Sequence, residues 1–132
     1  MNQQTKLLII DDDAGDRKLI QKAIEKAGFE VEIHVAKEGI EGIEKADKLR
    51  PEVVVVLDTV MPGLDGFDTC KKIKEIDGNI KVIICTGVVD AVDATKARNA
   101  GADDYCVKTA DYGVLINVVK KFVEVENSGK LI

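Results

Sequence analysis

Residues that can bind a cation or a phosphate follow four apolar segments of the chain, at the point where each segment ends. They are Asp11-Asp12-Asp13 after residues 7–10, Asp58 after residues 53–57, Thr86 after residues 82–85, and Lys108 after residues 105–107. If these segments are parallel strands, the side chains that follow them collect along one edge of the sheet. That edge would combine carboxylates, a hydroxyl and an ammonium, which together could place a divalent metal beside a phosphorylated aspartate.

The chemistry of such an edge follows from its charge. Crowded carboxylates repel each other, so they require a cation or raised pKa values. Oxygen ligands without histidine or thiolate favour Mg²⁺ or Mn²⁺ over Zn²⁺. A carboxylate can also act as a nucleophile and form an aspartyl phosphate. Lys108 and Thr86 could then supply charge and hydrogen bonding to the phosphoryl oxygens.

Each position also has an ordinary structural explanation. The acids at 11–13 could form the first turn of a helix, Thr86 could cap the next helix, and Lys108 could extend from a strand end into solvent. Asp58 is harder to explain in this way, because a lone carboxylate after a central apolar strand is costly to bury. One shared site explains all four positions more simply than four coincidences.

Composition limits the class of protein. The 132 residues are 45% hydrophobic and 33% charged, which predicts one globular domain. The net charge of −5 argues against nucleic acid as a direct partner. The sequence has no long apolar run and no signal-peptide pattern, which favours a cytoplasmic protein that does not enter a membrane. The cysteines, Cys70, Cys85 and Cys106, lack metal-type spacing and are predicted to be buried free thiols.

The apolar pattern alternates between strand and helix periodicity. Strands are predicted at 6–11, 31–35, 53–57, 81–86 and 104–108, and helices at about 16–27, 39–49, 67–76, 91–100 and 111–124. This alternation predicts an α/β fold with a parallel sheet and helices on both faces. The predicted core faces of the first two helices contain Leu19, Ile20, Ala23, Ile24 and Ala27, and then Ile40, Ile43 and Ala46. His34, the single histidine, lies on the second strand and is predicted to be structural rather than catalytic.

With its motifs in this order, the chain resembles the receiver domain of two-component response regulators, the chemotaxis response regulator-like superfamily, from residue 6 to about 123. The matching motifs are Ile-Ile-Asp-Asp-Asp at 9–13, Leu-Asp at 57–58 with Met-Pro-Gly-Leu-Asp-Gly at 61–66, Cys-Thr-Gly at 85–87, and the segment 100–108 that ends at Lys108. The resemblance implies a doubly wound (βα)5 flavodoxin-like three-layer sandwich with a parallel five-stranded sheet of order 2-1-3-4-5. Residues 1–125 would form the receiver domain and residues 126–132 a C-terminal tail.

The resemblance also implies a phosphoryl acceptor and a metal site. Asp58 would accept a phosphoryl group from a sensor histidine kinase or a phosphotransfer domain. Asp12, Asp58 and the backbone carbonyl of Val60 would ligate Mg²⁺, for which Mn²⁺ could substitute, and Asp11 would act through bound water.

Three further residues would respond to the phosphoryl group in such a receiver. Thr86 and Lys108 would bind its oxygens, and the side chain of Tyr105 would follow Thr86. This switch would alter the face made by the fourth helix, the fifth strand and the fifth helix. The output protein or domain that reads this face is unknown from sequence.

The chain departs from the family pattern at positions near the site. Thr109 follows Lys108 where the family usually has proline, and we expect a trans bond there. Val60 and Val88 occupy the two positions that tune phosphoryl lifetime in the family. Neither side chain can orient a water molecule, so slow autodephosphorylation is predicted.

The last helix is unusually apolar. Its predicted core stripe is Leu115, Val119 and Phe122, whereas three valines lie off that stripe: Val114, Val118 and Val123. They are either scattered surface residues or an apolar surface for a partner or a homodimer.

The main alternative function is a pseudo-receiver that binds partners independently of phosphorylation, although it would usually lack an acid or the lysine. A haloacid dehalogenase-type phosphatase would need an aspartate where Val60 stands. A flavodoxin-like carrier would need a hydroxyl-rich loop where the chain has acids at 11–13. Sequence leaves open whether the receiver acts alone or within a larger protein.

Overall fold

The computed structural model describes residues 4–88 and 90–130, and of residues 125–130 only the backbone. Strands and helices alternate throughout. The elements are β1 (Thr5–Ile10), α1 (Ala14–Ala27), β2 (Val31–Ala36), α2 (Gly39–Leu49), β3 (Val53–Val56), α3 (Gly66–Ile76), β4 (Lys81–Thr86), α4 (Ala91–Asn99), β5 (Asp104–Val107) and α5 (Gly113–Lys130).

The five strands form one parallel sheet of order β2-β1-β3-β4-β5. The expected order 2-1-3-4-5 is therefore confirmed. Leu7 of β1 pairs with Val53 of β3, and Val53 pairs in turn with Lys81 of β4. The chain reverses its direction of winding between β1 and β3, so the carboxyl ends of these neighbouring strands flank the switch point where such folds bind ligands.

Helices cover both faces of the sheet. Val53 and Val55 of β3 belong to a core shared with α1 and α5, whereas Val54 and Val56 belong to a core shared with α2, α3 and α4. All four valines are fully buried. This arrangement explains why β3 has apolar residues at every position, and it confirms the three-layer sandwich.

The core faces of α1 and α2 differ from the prediction. Leu19 and Ile40 are 55% and 53% exposed, although both were expected to face the core. In α2 the buried positions are Gly39, Gly42 and Ala46. A Cβ atom at Gly42 would clash with Cδ1 of Ile10, so the helix backbone packs directly on β1. Glycine gives no hydrophobic signal, and the sequence therefore concealed this contact face.

The core stripe of α5 also differs from the prediction. Val123 is fully buried together with Leu115 and Val119, whereas Phe122 and Val118 are only partly buried against the same core. Residues 122 and 123 both follow Val119 by about one helical turn, and periodicity alone does not choose between them. Of the three valines predicted off the stripe, Val114 alone is strongly exposed, at 42%. The predicted apolar surface is correspondingly smaller.

The last helix continues to Lys130, beyond its predicted end near residue 124. The division into a domain of residues 1–125 and a tail of 126–132 stays a prediction. None of the helices in the described ranges combines the length and apolar character that crossing a membrane requires.

Two smaller predictions are confirmed. Cys70, Cys85 and Cys106 are buried free thiols. The bond between Lys108 and Thr109 is trans, as are the other peptide bonds in the described ranges. His34 lies on β2, where its Nε2 atom is 2.8 Å from Oε2 of Glu32.

Candidate functional site

Three carboxylates meet where β1 and β3 end. One oxygen from each of Asp11, Asp12 and Asp58 lies within 4.8 Å of the others. Asp11 is buried, Asp12 is exposed and Asp58 is half-buried, so the cluster extends from the sheet edge into solvent. The two strands are hydrogen-bonded neighbours, which is why residues far apart in sequence come together here.

Asp11 carries the strongest electrostatic conflict in the site. Only 1% of the residue is exposed, and its Oδ2 atom has no hydrogen-bond partner among the described residues. Burial raises the pKa of its carboxyl group from 3.8 to about 7, although the positive charge of Lys108 opposes the shift. A buried oxygen without a partner is unfavourable unless a cation or water satisfies it. The donor set therefore fits a hard divalent cation.

Asp13 has a different role from its two neighbours. Its side chain accepts a hydrogen bond of 3.0 Å from the backbone N–H of Asp16 and caps α1. The structural explanation of an acidic helix start is thus correct for Asp13. Asp11 and Asp12 remain as the carboxylates that face the cluster.

Asp58 lies in the loop that connects β3 to α3. Its Oδ1 atom accepts a hydrogen bond of 3.1 Å from the backbone N–H of Val60, whose own side chain is 77% exposed. Behind it, the N–H of Gly66 donates to the carbonyl of Thr59 at 2.9 Å. A Cβ atom at Gly66 would lie 2.5 Å from the carbonyl oxygen of Asp58. The glycine therefore lets α3 begin directly against the aspartate loop.

Arg17 is a contributor that sequence reasoning missed. Its Nη1 atom donates to the backbone carbonyl of Asp11 at 2.6 Å. This contact ties α1 to the loop that presents Asp11 and Asp12. An arginine early in the helix that follows the acidic segment was the available signal, but nothing in the sequence showed where its side chain would point.

Thr86 ends β4, and the Tyr105 side chain lies next to it, although the backbone of Tyr105 pairs with Ile84 in the sheet. Thr86 is buried, and its Oγ1 atom accepts a weak hydrogen bond of 3.5 Å from the N–H of Val88. Burial raises the pKa of Tyr105, next to Thr86, and its hydroxyl is a buried oxygen without a well-formed hydrogen bond in the described part of the chain. The two side chains are therefore adjacent, as the predicted switch requires, and neither hydroxyl forms a strong hydrogen bond within the described ranges.

Lys108 follows β5, and its backbone N–H donates to the carbonyl of Thr86 at 2.6 Å. Its ammonium group lies near enough to lower the pKa of Asp11. Within the described ranges its ion-pair partner is nevertheless Asp16 of α1, with Nζ 3.8 Å from Oδ2. The structure thus brings the predicted residues to one sheet edge, but it pairs the lysine with an acid that sequence reasoning had not selected.

A scan against family models matches residues 7–120 to the response regulator receiver domain. The chain belongs to this family, whose members are signalling proteins of two-component systems.

Individual relatives agree with this membership. The chemotaxis protein CheY of Thermotoga maritima is 35% identical over 116 residues, which cover 88% of this chain and 95% of that protein. The transcriptional regulatory protein CseB of Streptomyces avermitilis is also 35% identical over 88% of this chain, but the match spans only 48% of CseB. The solved receiver domain of DrrB, in a form activated by BeF3, has a TM-score of 0.79 at 29% identity and covers 92% of this chain and 99% of its own.

Proposed function

We propose that this protein is a phosphorylation-activated receiver that accepts a phosphoryl group on Asp58. The donor would be a phosphohistidine of a sensor histidine kinase or a phosphotransfer domain. The observation that carries the proposal is the cluster of Asp11, Asp12 and Asp58, whose oxygens lie within 4.8 Å of one another; one buried oxygen of Asp11 has no hydrogen-bond partner among the described residues. Asp58 is the half-buried member, so its carboxylate is open to a donor.

Mg²⁺, with Mn²⁺ as a substitute, would be held by Asp12, Asp58 and the backbone carbonyl of Val60, with Asp11 acting through water. When bound, the ion neutralises charge on the cluster and on the phosphoryl oxygens. Asp11 is buried, so its carboxyl group stays on the sheet side of the cluster, and a bound cation would favour its charged form. The N–H of Val60 orients the Asp58 carboxylate through the 3.1 Å hydrogen bond.

Thr86 and Lys108 would detect the phosphoryl group, and Tyr105 would transmit the change. A hydrogen bond from the Thr86 hydroxyl to a phosphoryl oxygen draws Thr86 towards Asp58. This movement changes the space beside Tyr105, whose hydroxyl forms no strong hydrogen bond to any residue that the structure describes. The face made by α4, β5 and α5 would then change its shape for an output protein or domain.

Intact-mass measurement after incubation with acetyl phosphate and Mg²⁺ tests phosphorylation. We expect the mass of one phosphoryl group on the wild-type chain, and none with EDTA or in Asp58→Asn. Asp77→Asn is a matched control, because it removes a carboxylate from the carboxyl end of α3, outside the acidic cluster. No added mass on the wild type would favour the alternative, a pseudo-receiver that binds partners independently of phosphorylation.

The partners and location of the protein are part of the same proposal. A kinase that supplies phosphohistidine would place the receiver in the cytoplasm. The chain spans about half the length of CseB, so any output activity of a longer protein is also a proposal.

A homodimer through the last helix would use the exposed side of α5 around Val114, and sedimentation with and without a phosphoryl mimic checks it.

A further inference from the structure

Lys108 is held by a residue outside the acidic cluster. Its Nζ atom is 3.8 Å from Oδ2 of Asp16, and the two side chains are 20% and 35% exposed. Asp16 lies in the first turn of α1, whereas Lys108 follows β5. The contact therefore joins the first helix to the loop that follows the last strand, near Asp11 of the acidic cluster.

Tyr112 is a second neighbour of the Asp16 carboxylate. It lies in the loop between β5 and α5 and is only 6% exposed. Burial raises the pKa of its phenol to about 12, and the negative charges of Asp16 and Asp11 act in the same direction. The phenol therefore keeps its proton and can donate it in a hydrogen bond to Asp16.

The loop conformation places Tyr112 at this position. Its φ angle is 57°, a left-handed conformation that is rare for a bulky side chain. The N–H of Tyr112 donates to the carbonyl of Thr109 at 3.1 Å, and the Thr109 hydroxyl donates to Oδ1 of Asp111 at 3.2 Å. The same Asp111 oxygen accepts from the N–H of Gly113 at 2.9 Å. Thr109 is thus part of the turn that brings Tyr112 to Asp16. It occupies the position where receiver domains usually have proline.

We propose that Asp16 is a positioning residue that holds the Lys108 ammonium beside α1 until a phosphoryl group on Asp58 competes for it. This inference rests on the proposed function of Asp58 and adds a residue outside the acidic cluster to it. When Lys108 leaves, the phenol of Tyr112 remains near Asp16 and can donate a hydrogen bond to its carboxylate. Separating Lys108 from Asp16 requires free energy, and binding of the phosphoryl group is weakened by that amount.

Binding of beryllofluoride, a phosphoryl mimic, measures this competition. We would determine its dissociation constant with Mg²⁺ by ¹⁹F NMR for the wild type, Asp16→Asn, Lys108→Ala and the double variant. Because partly exposed ion pairs contribute modestly, Asp16→Asn should tighten binding about two- to fivefold when Lys108 is present. Loss of a negative charge would favour binding of an anion whether or not Lys108 is present. The proposal is therefore tested by comparing the effect of Asp16→Asn on the dissociation constant in the wild type with its effect in Lys108→Ala. Equal tightening with and without Lys108, or no tightening at all, would overturn the proposal.

Asp68→Asn is the matched control for charge and helix position. Asp68 lies in the first turn of α3, and its N–H bonds to the capping residue Asp65 just as that of Asp16 bonds to Asp13. This variant should leave the dissociation constant unchanged. A tightening equal to that of Asp16→Asn would show an effect of net charge alone and would contradict the positioning role.

The resonance of the Lys108 Cε group gives a readout that does not depend on phosphorylation. In the free protein we expect its ¹³C shift to change in Asp16→Asn and to return towards the wild-type value in Asp16→Glu. No change in Asp16→Asn would overturn the positioning role, even if beryllofluoride binds normally. Failure of the wild type to bind beryllofluoride, with the Lys108 resonance still responding, would instead contradict the proposed function of Asp58.

Discussion

The placement of Asp11 destabilises the metal-free fold and favours the binding of a cation. The residue is 1% exposed and one of its carboxylate oxygens has no partner in the described part of the chain, whereas Asp12 beside it is exposed. An ionised group in this position destabilises the metal-free fold. The same placement gives a divalent cation a fixed ligand charge on the side of the cluster that faces the sheet.

Asp11→Asn should therefore stabilise the metal-free protein. We expect the free energy of unfolding in EDTA to rise by about 1–3 kcal/mol, because the variant removes a buried charge. Mg²⁺ should raise the melting temperature of the wild type but not that of the variant, as checked by thermal unfolding at pH 8. Asp12→Asn is the control, since an exposed carboxylate should alter metal-free stability much less. Destabilisation of Asp11→Asn in EDTA would contradict this explanation.

The prediction that the phosphoryl group is lost slowly depends on Val60 and Val88. Their side chains are 77% and 71% exposed and carry no atom that could orient an attacking water. Val60→Asn combined with Val88→Glu should accelerate phosphate release about tenfold or more, because a positioned polar group can assist the attack. Release of inorganic phosphate after removal of the donor measures the rate. Val92→Glu, at another exposed valine, should leave the rate unchanged, and an unaltered rate in the double variant would argue against slow release through these positions.

At the scale of the elements, the contact between α3 and the Asp58 loop determines how the acceptor is presented. A Cβ atom at Gly66 would lie 2.5 Å from the Asp58 carbonyl oxygen and 3.0 Å from Cα of Thr59. Both atoms belong to the backbone, so the clash cannot be relieved by rotating a side chain. The position of Gly66 is thus linked directly to the geometry of the acceptor.

Gly66→Ala should destabilise the fold by about 1–3 kcal/mol and slow phosphorylation by acetyl phosphate. Chemical denaturation and the rate of mass increase measure the two effects. Gly78→Ala is the matched control, because its Cβ atom would meet nothing nearer than 3.9 Å and should be tolerated. Equal stability of the two variants would show that the loop adjusts without affecting the acceptor.

Much of the architecture followed from sequence, because strand and helix periods alternate clearly and the apolar run of β3 requires cover on both faces. The remainder depended on contacts that residue types do not reveal. Gly42 packs on Ile10 without any hydrophobic signal, and Val123 rather than Phe122 enters the core of α5. At the site, Asp11, Asp12 and Asp58 could be predicted from strand ends, whereas the contacts of Arg17 and Asp16 depend on side-chain directions that only the fold defines.

For the whole molecule, the proposed switch connects Asp58 to a distant face through Thr86 and Tyr105. We expect beryllofluoride with Mg²⁺ to shift the backbone amide resonances of β5 and α4 as well as those near Asp58. In Thr86→Ala the shifts near Asp58 should persist, while those around Tyr105 should largely disappear. Thr95→Ala, on the exposed side of α4, is the control. Full transmission in Thr86→Ala would exclude this route.

The identity of the phosphorylated residue decides whether Asp58 is the acceptor. After incubation with acetyl phosphate and Mg²⁺, borohydride reduces an aspartyl phosphate to homoserine, and peptide mass spectrometry then locates the modified position. We expect homoserine at position 58 alone, with none when Mg²⁺ is removed by EDTA. Modification of Asp11 or Asp12 in place of Asp58, or no modification in the presence of Mg²⁺, would contradict it.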